Sequence, residues 1–340
     1  MRAVVYRETG GPEVMELVDR PAPAPGPGEV LVEVAVSGVN PTDWKSRRGS
    51  GPGEALAFPE VVPDQDGAGT IVATGAGVDP DRTGERVWLF EAAYGRADGT
   101  AQELVAVPER QAVPLPGGAS FDLGASLGIP ALTAHRCLTV GAAGPARLGP
   151  GALSGCRVLV AGGAGAVGHA AIQLAVWSGA DVLTTVSSAT KADLARAAGA
   201  HHVVDYRAEE ATEAIRRFAP DGVDVIVEVA PGTNAFLDRA VLAPNGTVAV
   251  YANDADALEV PIRASMLANT RYQFVMVYTV PRAAKDQAVA DTSAAVADGA
   301  LAVGEEAGLP LHRFPLASAR DAHAAVEAGT VGKVLIDVRA

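Results

Sequence analysis

Cysteine is scarce in this chain: two in 340 residues, Cys137 and Cys156, with no C-x-x-C. That excludes a disulfide framework and a structural zinc site built from several thiolates. Histidine offers no substitute. None of the six histidines stands in H-x-x-x-H or H-E-x-x-H spacing, and His201 and His202 point to opposite faces if their segment is a strand. Positive charge is also thin. Lys and Arg number 27 against 40 Asp and Glu, a formal net charge of −13, and they gather only in pairs such as Arg47-Arg48 and Arg216-Arg217. Displacing counterions takes concentrated positive charge, so nucleic acid is not an expected partner. An anionic membrane surface is disfavoured for the same reason. No apolar run reaches the roughly 18 residues of a membrane helix. The start, MRAVVYRETGGPEVMEL, has no long apolar core and no small-residue cleavage site, so no secretory signal is read and a cytoplasmic place is expected.

Glycine, by contrast, is abundant and placed with purpose. In Val158–Ser178, VLVAGGAGAVGHAAIQLAVWS, the apolar run Val158–Ala161 reads as a buried strand. Gly163, Gly165 and Gly168 then match G-x-G-x-x-G, while Gly162, Gly165 and Gly168 fit G-x-x-G-x-x-G. An apolar helix follows, and Gly179 falls where a C-cap would. Strand, glycine turn and helix are the context of a dinucleotide site. The turn brings backbone N–H groups to a pyrophosphate, and the helix N-terminus adds partial positive charge. The turn residues Gly162, Gly163, Ala164, Gly165, Ala166, Val167 and Gly168 are the expected cradle.

The organisation changes twice along the chain. The first 130 residues read as short strands with Gly and Pro breaks: 29–37, 69–75, 85–90 and 102–107. PAPAPGPG (21–28) reads as a stiff connector between two strands of one sheet, and 49–53 as a small-residue loop. A helix over 125–140 and a loop over 141–155 lead to alternating strands and helices. The strands are expected at 157–161, 181–186, 202–205, 223–229, 247–251 and 271–279. The helices between them cover 166–178, 190–198, 209–218, 234–242 and about 261–269, with Pro244-Asn245-Gly246 as a turn. Six strands with crossover helices make a doubly wound parallel sheet, an α/β architecture. Beyond it, a helix at 282–298 and strands at 312–316 and 334–338 flanking a helix at 318–328 are expected to rejoin the first domain.

Together, GVNPTDWKSRRG (38–49), DQDGAGTIVATGAGV (64–78), GERVW (84–88), SLGIPALTAHRCL (126–138), the glycine motif, GAHHVVDYR (199–207), VDVIVEV (223–229) and GKVLIDV (332–338) resemble the medium-chain dehydrogenase/reductase superfamily. The match is to its zinc-free quinone oxidoreductase branch, the zeta-crystallin type. The resemblance implies a GroES-like β-rich catalytic domain over 1–130 and 281–340 and a Rossmann domain with its parallel six-stranded sheet over 131–280. It also implies a homodimer through the strand Arg271–Tyr278. Zinc-containing members carry catalytic ligands where this chain has Asn40 and Gln65, and a third in 127–130, where no Cys, His or carboxylate stands. The structural-zinc lobe, 87–102, holds no Cys. No metal is therefore expected.

The end of the second Rossmann strand selects the cofactor. NAD sites place a carboxylate there for the ribose 2′-hydroxyl. This chain has Val186-Ser187-Ser188, with Lys191 one helical turn on, which suits a 2′-phosphate and hence NADPH. The resemblance adds Tyr206 and Val229 to the cofactor contacts. It implies hydride transfer to a quinone, or alternatively to an α,β-unsaturated ketone, aldehyde or enoyl thioester. A third reading is a non-catalytic NADPH-binding protein. Without a metal the acceptor oxygen must be polarised by hydrogen-bond donors, for which Asn40 is the first candidate and Gln65 the second. Trp44, Phe90, Tyr94 and Met266 are the expected pocket walls. Relatives often carry a Tyr soon after the Asn40 motif, but RRGSGPGEALAF (47–58) has none. Quinone reduction tolerates that gap better than enone reduction, because water can protonate a quinol oxygen.

Overall fold

The computed structural model describes residues 1–49, 55–141 and 144–339. Of the expected 49–53 loop only Gly49 lies inside that range, and residues 142 and 143 of the 141–155 loop lie outside it. In chain order the early elements are β1 (Arg2–Val5), β2 (Glu16–Asp19), β3 (Glu29–Val39), α1 (Pro41–Arg48), β4 (Asp66–Thr74), β5 (Arg86–Leu89), β6 (Leu104–Pro108), β7 (Ala112–Pro114), α2 (Phe121–Gly124) and α3 (Gly128–Thr139). The alternating region supplies β8 (Arg157–Ala161), α4 (Ala166–Trp177), β9 (Asp181–Val186), α5 (Ala189–Ala197), β10 (His202–Asp205), α6 (Ala211–Phe218), β11 (Val223–Glu228), α7 (Pro231–Val241), β12 (Leu242–Val250), α8 (Ile262–Leu267) and β13 (Arg271–Phe274). Last come α9 (Arg282–Ala297), β14 (Leu311–Pro315), α10 (Ala319–Glu327) and β15 (Lys333–Asp337). Met1–Ile129 with Leu311–Ala340 form one unit and Pro130–Pro310 the other.

The first unit is built on a seven-stranded sheet in the order β14-β15-β3-β4-β5-β7, with β6 also paired to β3. β3 is its spine. Val30, Val32 and Val34 alternate into one core, and a register shift between Val34 and Val36 turns Val36 toward a second, smaller cluster with Ala68, Ala125 and Leu335. β15 pairs antiparallel with β3, so the last strands complete a sheet begun by the first ones. Two expectations need correction here. PAPAPGPG does not join strands of one sheet: β2 pairs only with β1 in a two-stranded ribbon, and β3 opens the larger sheet. The stretch 41–48, read without a helix, forms α1, because Pro41 sits at its first turn and the Asp43 carboxylate reaches back to Asn40 N–H at 2.7 Å.

The second unit carries a six-stranded parallel sheet ordered β10-β9-β8-β11-β12-β13. Its central strands β8 and β11 are largely apolar and buried on both faces, as parallel sheets require. The order reverses between β8 and β11, the switch point where open α/β sheets bind ligands. The turn expected at Pro244–Gly246 is instead an irregularity within β12: Asn245 adopts φ 65°, and the register with β11 jumps from Leu242 to Thr247. The sixth strand is shorter than expected, ending at Phe274 with a 3-10 turn over Val277–Thr279. His202 opens β10 and His201 precedes it. Their rings converge on Asp181 Oδ1, at 3.4 and 3.6 Å, rather than parting to opposite faces.

The second unit also extends to Pro310, past the boundary expected at 280. The cause is a buried carboxylate on α9. Asp291 accepts from Leu148 N–H at 2.8 Å and contacts His135 Nε2 at 2.9 Å. Further on, Ala302 N–H donates to Gln173 Oε1 at 3.1 Å, and His169 Nε2 meets Ala307 O at 2.7 Å. These bonds tie 281–310 to the Rossmann helices.

Candidate functional site

β8 ends at Ala161 and the chain turns at once. Gly162 adopts φ 70°, a conformation open to glycine at little cost. The N–H groups of Gly162 and Gly163 donate to Thr185 O at 3.1 and 3.4 Å, and Gly165 N–H closes the turn on Gly162 O at 3.0 Å. A Cβ on Gly163 would lie 2.2 Å from Thr184 Oγ1, and one on Gly168 would lie 2.5 Å from Gly162 O. Both glycines therefore seal helix and turn against the sheet. A Cβ on Gly165 meets nothing nearer than Gly162 O at 3.5 Å, so the space over it is open. Tight turn, open approach and close packing thus fall on Gly162, Gly165 and Gly168, the G-x-x-G-x-x-G spacing. Ala164 is buried within the turn. Ala166, Val167 and Gly168 form the first turn of α4, whose N–H groups have no helical acceptor and, among the described residues, no side-chain cap.

α7 offers the contrast. Gly232 and Thr233 N–H donate to the Asp254 carboxylate at 2.7 and 2.9 Å, and Ala230 N–H donates to Glu228. The Thr233 hydroxyl and these N–H groups hold the Asp254 carboxyl below its usual range. One helix end is filled from within, and the other is left open to an anion.

The remaining expected cofactor residues gather at the same edge of the sheet. Ser188 Oγ caps α5 by accepting from Lys191 N–H at 3.3 Å, and Lys191 Nζ donates to Ser187 Oγ at 3.0 Å. Tyr206 follows β10 with its N–H on Val186 O at 3.1 Å, and its ring is half exposed. Val229 follows β11, with Cγ1 3.3 Å from the place of a Gly162 Cβ. The open glycine, the first turn of α4, the serine–lysine pair and the exposed aromatic ring thus lie at one edge of the sheet.

In the first unit, Asn40 and Gln65 flank a buried cluster of charge. Asn40 is 2% exposed and its amide is fully engaged. Nδ2 donates to Asp66 Oδ2 at 2.7 Å and to Gly38 O at 3.4 Å, while Oδ1 accepts from Lys333 Nζ at 2.7 Å. Asp66 also accepts from Ile129 N–H at 2.9 and 3.0 Å, and Lys333 Nζ stands 3.9 Å from it. Asp64, at φ 77°, accepts from Ser37 Oγ at 2.9 Å and contacts His323 Nε2 at 2.9 Å. Burial pushes the Asp66 carboxyl up to about 6 against the pull of Lys333. Burial, with Asp64 and Asp66 nearby, raises Asp43 well above its usual range. Burial lowers the Lys333 ammonium, and Asp66 opposes that shift. Gln65 is also buried, and its Oε1 has no hydrogen-bond partner among the described residues.

Comparison with known proteins fits both units. The alcohol dehydrogenase GroES-like domain family matches residues 26–117, and the zinc-binding dehydrogenase family matches 166–293. Rat quinone oxidoreductase is 32% identical over 342 residues, covering 99% of this chain and 97% of that protein. The chain belongs to the medium-chain dehydrogenase/reductase superfamily, in its quinone oxidoreductase branch. The rat synaptic vesicle membrane protein VAT-1 homolog is 32% identical over 254 residues, and the match covers 74% of this chain but only 59% of that protein. Among solved structures, an NAD-dependent alcohol dehydrogenase superposes with TM-score 0.85 at 27% identity, over 99% of this chain and 100% of that one. A mycobacterial protein complexed with NADPH does so with TM-score 0.80 at 30% identity, over 99% of each chain.

The zinc-binding description of one matched family does not fit the donors found here. At the superfamily's catalytic-zinc positions this chain places two carboxamides, Asn40 and Gln65. Among the described residues no group of three or more His, Cys, Asp or Glu could hold a metal ion. Asp64 and Asp66, the nearest carboxylates in sequence, are engaged by Ser37, Asn40, Lys333, His323 and the Ile129 N–H.

The medium-chain reductase expectations for individual side chains need two corrections. Asn40 has both amide hydrogens committed inside its unit, so it bridges Asp66 and Lys333 rather than presenting a donor to a ligand. Phe90, expected as a pocket wall, is 2% exposed and packs its ring 5.7 Å from that of Trp88. Trp44 lies on α1 between Lys45 Nζ and Arg48 Cζ, at 5.8 and 5.5 Å from its ring centre. Tyr94 is half exposed. Met266, in the other unit, is exposed on α8. A cavity of about 350 Å³ lies within that unit at the ends of β12 and β13, walled by Pro231, Val250, Leu258 and Phe274. Residues missed from sequence include Asp43, Asp66 and Lys333. Asn-Pro-x-Asp carried a signal for the first, since an acid three residues after an N-cap closes a capping box.

Proposed function

We propose that this protein is a zinc-independent, NADPH-dependent reductase of quinones. The observation that carries the reading is the single edge of the Rossmann sheet where open Gly165, the free α4 N-terminus and the Lys191–Ser187 contact meet. No carboxylate stands at Ser187 or Ser188 to repel a 2′-phosphate. The cofactor, when bound, supplies hydride; the protein binds it, orients it and excludes water. In the catalytic unit, Gln65 is the amide we assign to the acceptor oxygen, because Asn40 is already occupied. Carboxamides at the zinc positions support metal independence. The two free cysteines suit a reducing, cytoplasmic setting.

The same reading includes a homodimer. β13 is the edge strand of its sheet, and Phe274 and Met276 on or just beyond it are more than half exposed. Phe236, Ile262, Met266 and Leu267 on α7 and α8 are exposed as well. An unpaired edge flanked by exposed apolar side chains suits pairing with a second copy.

The test is NADPH oxidation by EDTA-treated protein with 1,4-benzoquinone and with an α,β-unsaturated ketone, NADH run in parallel. We expect turnover with the quinone, kcat/KM for NADPH above that for NADH, and a rise of about tenfold or more in the NADPH KM on Lys191→Ala, the size of a lost charge-assisted hydrogen bond. Preference for NADH, or loss of activity with EDTA, overturns the reading. Turnover with the enone alone moves the substrate class to activated alkenes. Tight NADPH binding without turnover on either acceptor leaves a cofactor-binding protein.

A further inference from the structure

Four non-glycine residues among those described take positive φ: Asp64 at 77°, Glu91 at 53°, Asn245 at 65° and Asn269 at 49°. The two asparagines are exposed, and asparagine tolerates this conformation well. Asp64 and Glu91 are buried, and they adjoin one backbone bond. Ala92 N–H, next to Glu91, donates at 3.0 Å to the carbonyl of Gln65, next to Asp64. Left-handed backbone at a buried acidic residue is strained, and it persists only where the surroundings over-determine it.

The surroundings of Asp64 do so. From β3, Ser37 Oγ donates to its Oδ2 at 2.9 Å, and from α10, His323 Nε2 lies 2.9 Å from its Oδ1. Its carbonyl accepts from Thr100 N–H at 3.0 Å. That approach is close: a Cβ on the neighbouring Gly99 would lie 2.4 Å from Asp64 O. Asp66, on the other side of Gln65, is held by Asn40 Nδ2 at 2.7 Å and Ile129 N–H at 2.9 Å. Gln65 thus sits between two anchored aspartates, with its own carbonyl fixed by Ala92. Its side chain is the contrast. Gln65 is 8% exposed, yet Oε1 has no partner among the described residues. A carboxamide can give an N–H to a quinone oxygen or accept the O–H of the quinol.

We infer that Asp64 is a positioning residue for the acceptor site: clamped by Ser37 and His323, its left-handed backbone sets the direction in which the Gln65 amide leaves the chain. Asp64 acts through Gln65, and His323 acts through Asp64. The inference rests on the assignment of Gln65 to the acceptor oxygen and adds what holds that amide in place.

The test compares Asp64→Ala with Asp64→Gly. Both lose the carboxylate and leave Ser37 and His323 without it, so backbone preference is what separates them. One readout is hydrogen exchange at the Thr100 and Ala92 amides, which needs no turnover. The other is NADPH-dependent quinone reduction. In Asp64→Ala both amides should exchange about tenfold faster or more, and quinone kcat should fall about tenfold or more, with the NADPH Kd within about twofold of wild type. Asp64→Gly should stay within about threefold of wild type in both readouts. A residue serving stability alone would lower the unfolding midpoint of both variants and leave the kcat of folded protein unmoved. In a Gln65→Ala background, Asp64→Ala should cost less than about twofold more. Equal exchange and equal turnover in the Ala and Gly variants overturn the inference, and so does a full effect of Asp64→Ala without Gln65. Absence of wild-type turnover with quinone, or unchanged turnover in Gln65→Ala, overturns the acceptor assignment and the positioning role with it, while the exchange comparison still decides whether Asp64 fixes the 64–66 segment. Should Asp64→Ala not fold, His323→Leu, which loses the clamp, against His323→Gln, which keeps a donor for Asp64, makes the same comparison.

Discussion

Lys333 governs the buried charge of the first unit. Its ammonium faces Asp66 and holds the Asn40 amide, and it is 1% exposed. Replacing it with Met leaves a carboxylate without its buried counter-charge, so urea unfolding should show a loss of about 3–5 kcal/mol. Asp66 gives a complementary pH dependence. Its folded value of about 6 lies above the ordinary 3.8, so the folded state binds more protons between those limits and this group's contribution to stability falls as pH rises through them. Asp66→Asn should therefore gain on wild type from pH about 4 to about 6, the difference levelling off above, as read from unfolding midpoints. None of this was legible in the sequence. Lys333 opens an apolar strand and reads as an ordinary solvated end charge. Only the pairing of β15 with β3 carries it under Asn40 and toward Asp66. Asn40 was expected to face the acceptor, whereas its amide is committed to partners remote in the chain.

At the scale of the element, the glycine turn separates two kinds of substitution. Gly165 has ordinary extended backbone, φ −84° and ψ 161°, and open space before it. Gly165→Val should fold with Tm changed by no more than about 2 °C, yet weaken NADPH about tenfold or more by blocking the approach, measured by titration. Gly168→Ala places a methyl against Gly162 O and should destabilise the protein itself. The central strands of this sheet were readable because parallel strands buried on both faces are apolar runs, as Val158–Ala161 and Val225–Val227 are. Spacing alone left two glycine patterns open, since the sequence does not tell which glycine takes positive φ. α1 was missed because Asn-Pro serves a turn and a helix start equally well.

For the whole molecule, the proposed assembly predicts a dimer in sedimentation, and Phe274→Glu, which sets charge on the apolar edge, should shift it toward monomer. The parallel sheet was legible, but the return of the chain was placed too early. α9 was assigned to the first domain, because the side chain that decides otherwise, Asp291, works through residues on distant segments. The route of the chain also bears on how the protein is made. During synthesis the Rossmann unit is complete once Pro310 has emerged, and it can close by itself. The other unit must wait, with β3 lacking its neighbour β15 and the Asp66 carboxylate lacking Lys333. A ribosome-bound chain stalled before residue 333 would hold a folded nucleotide-binding half beside an open sheet edge.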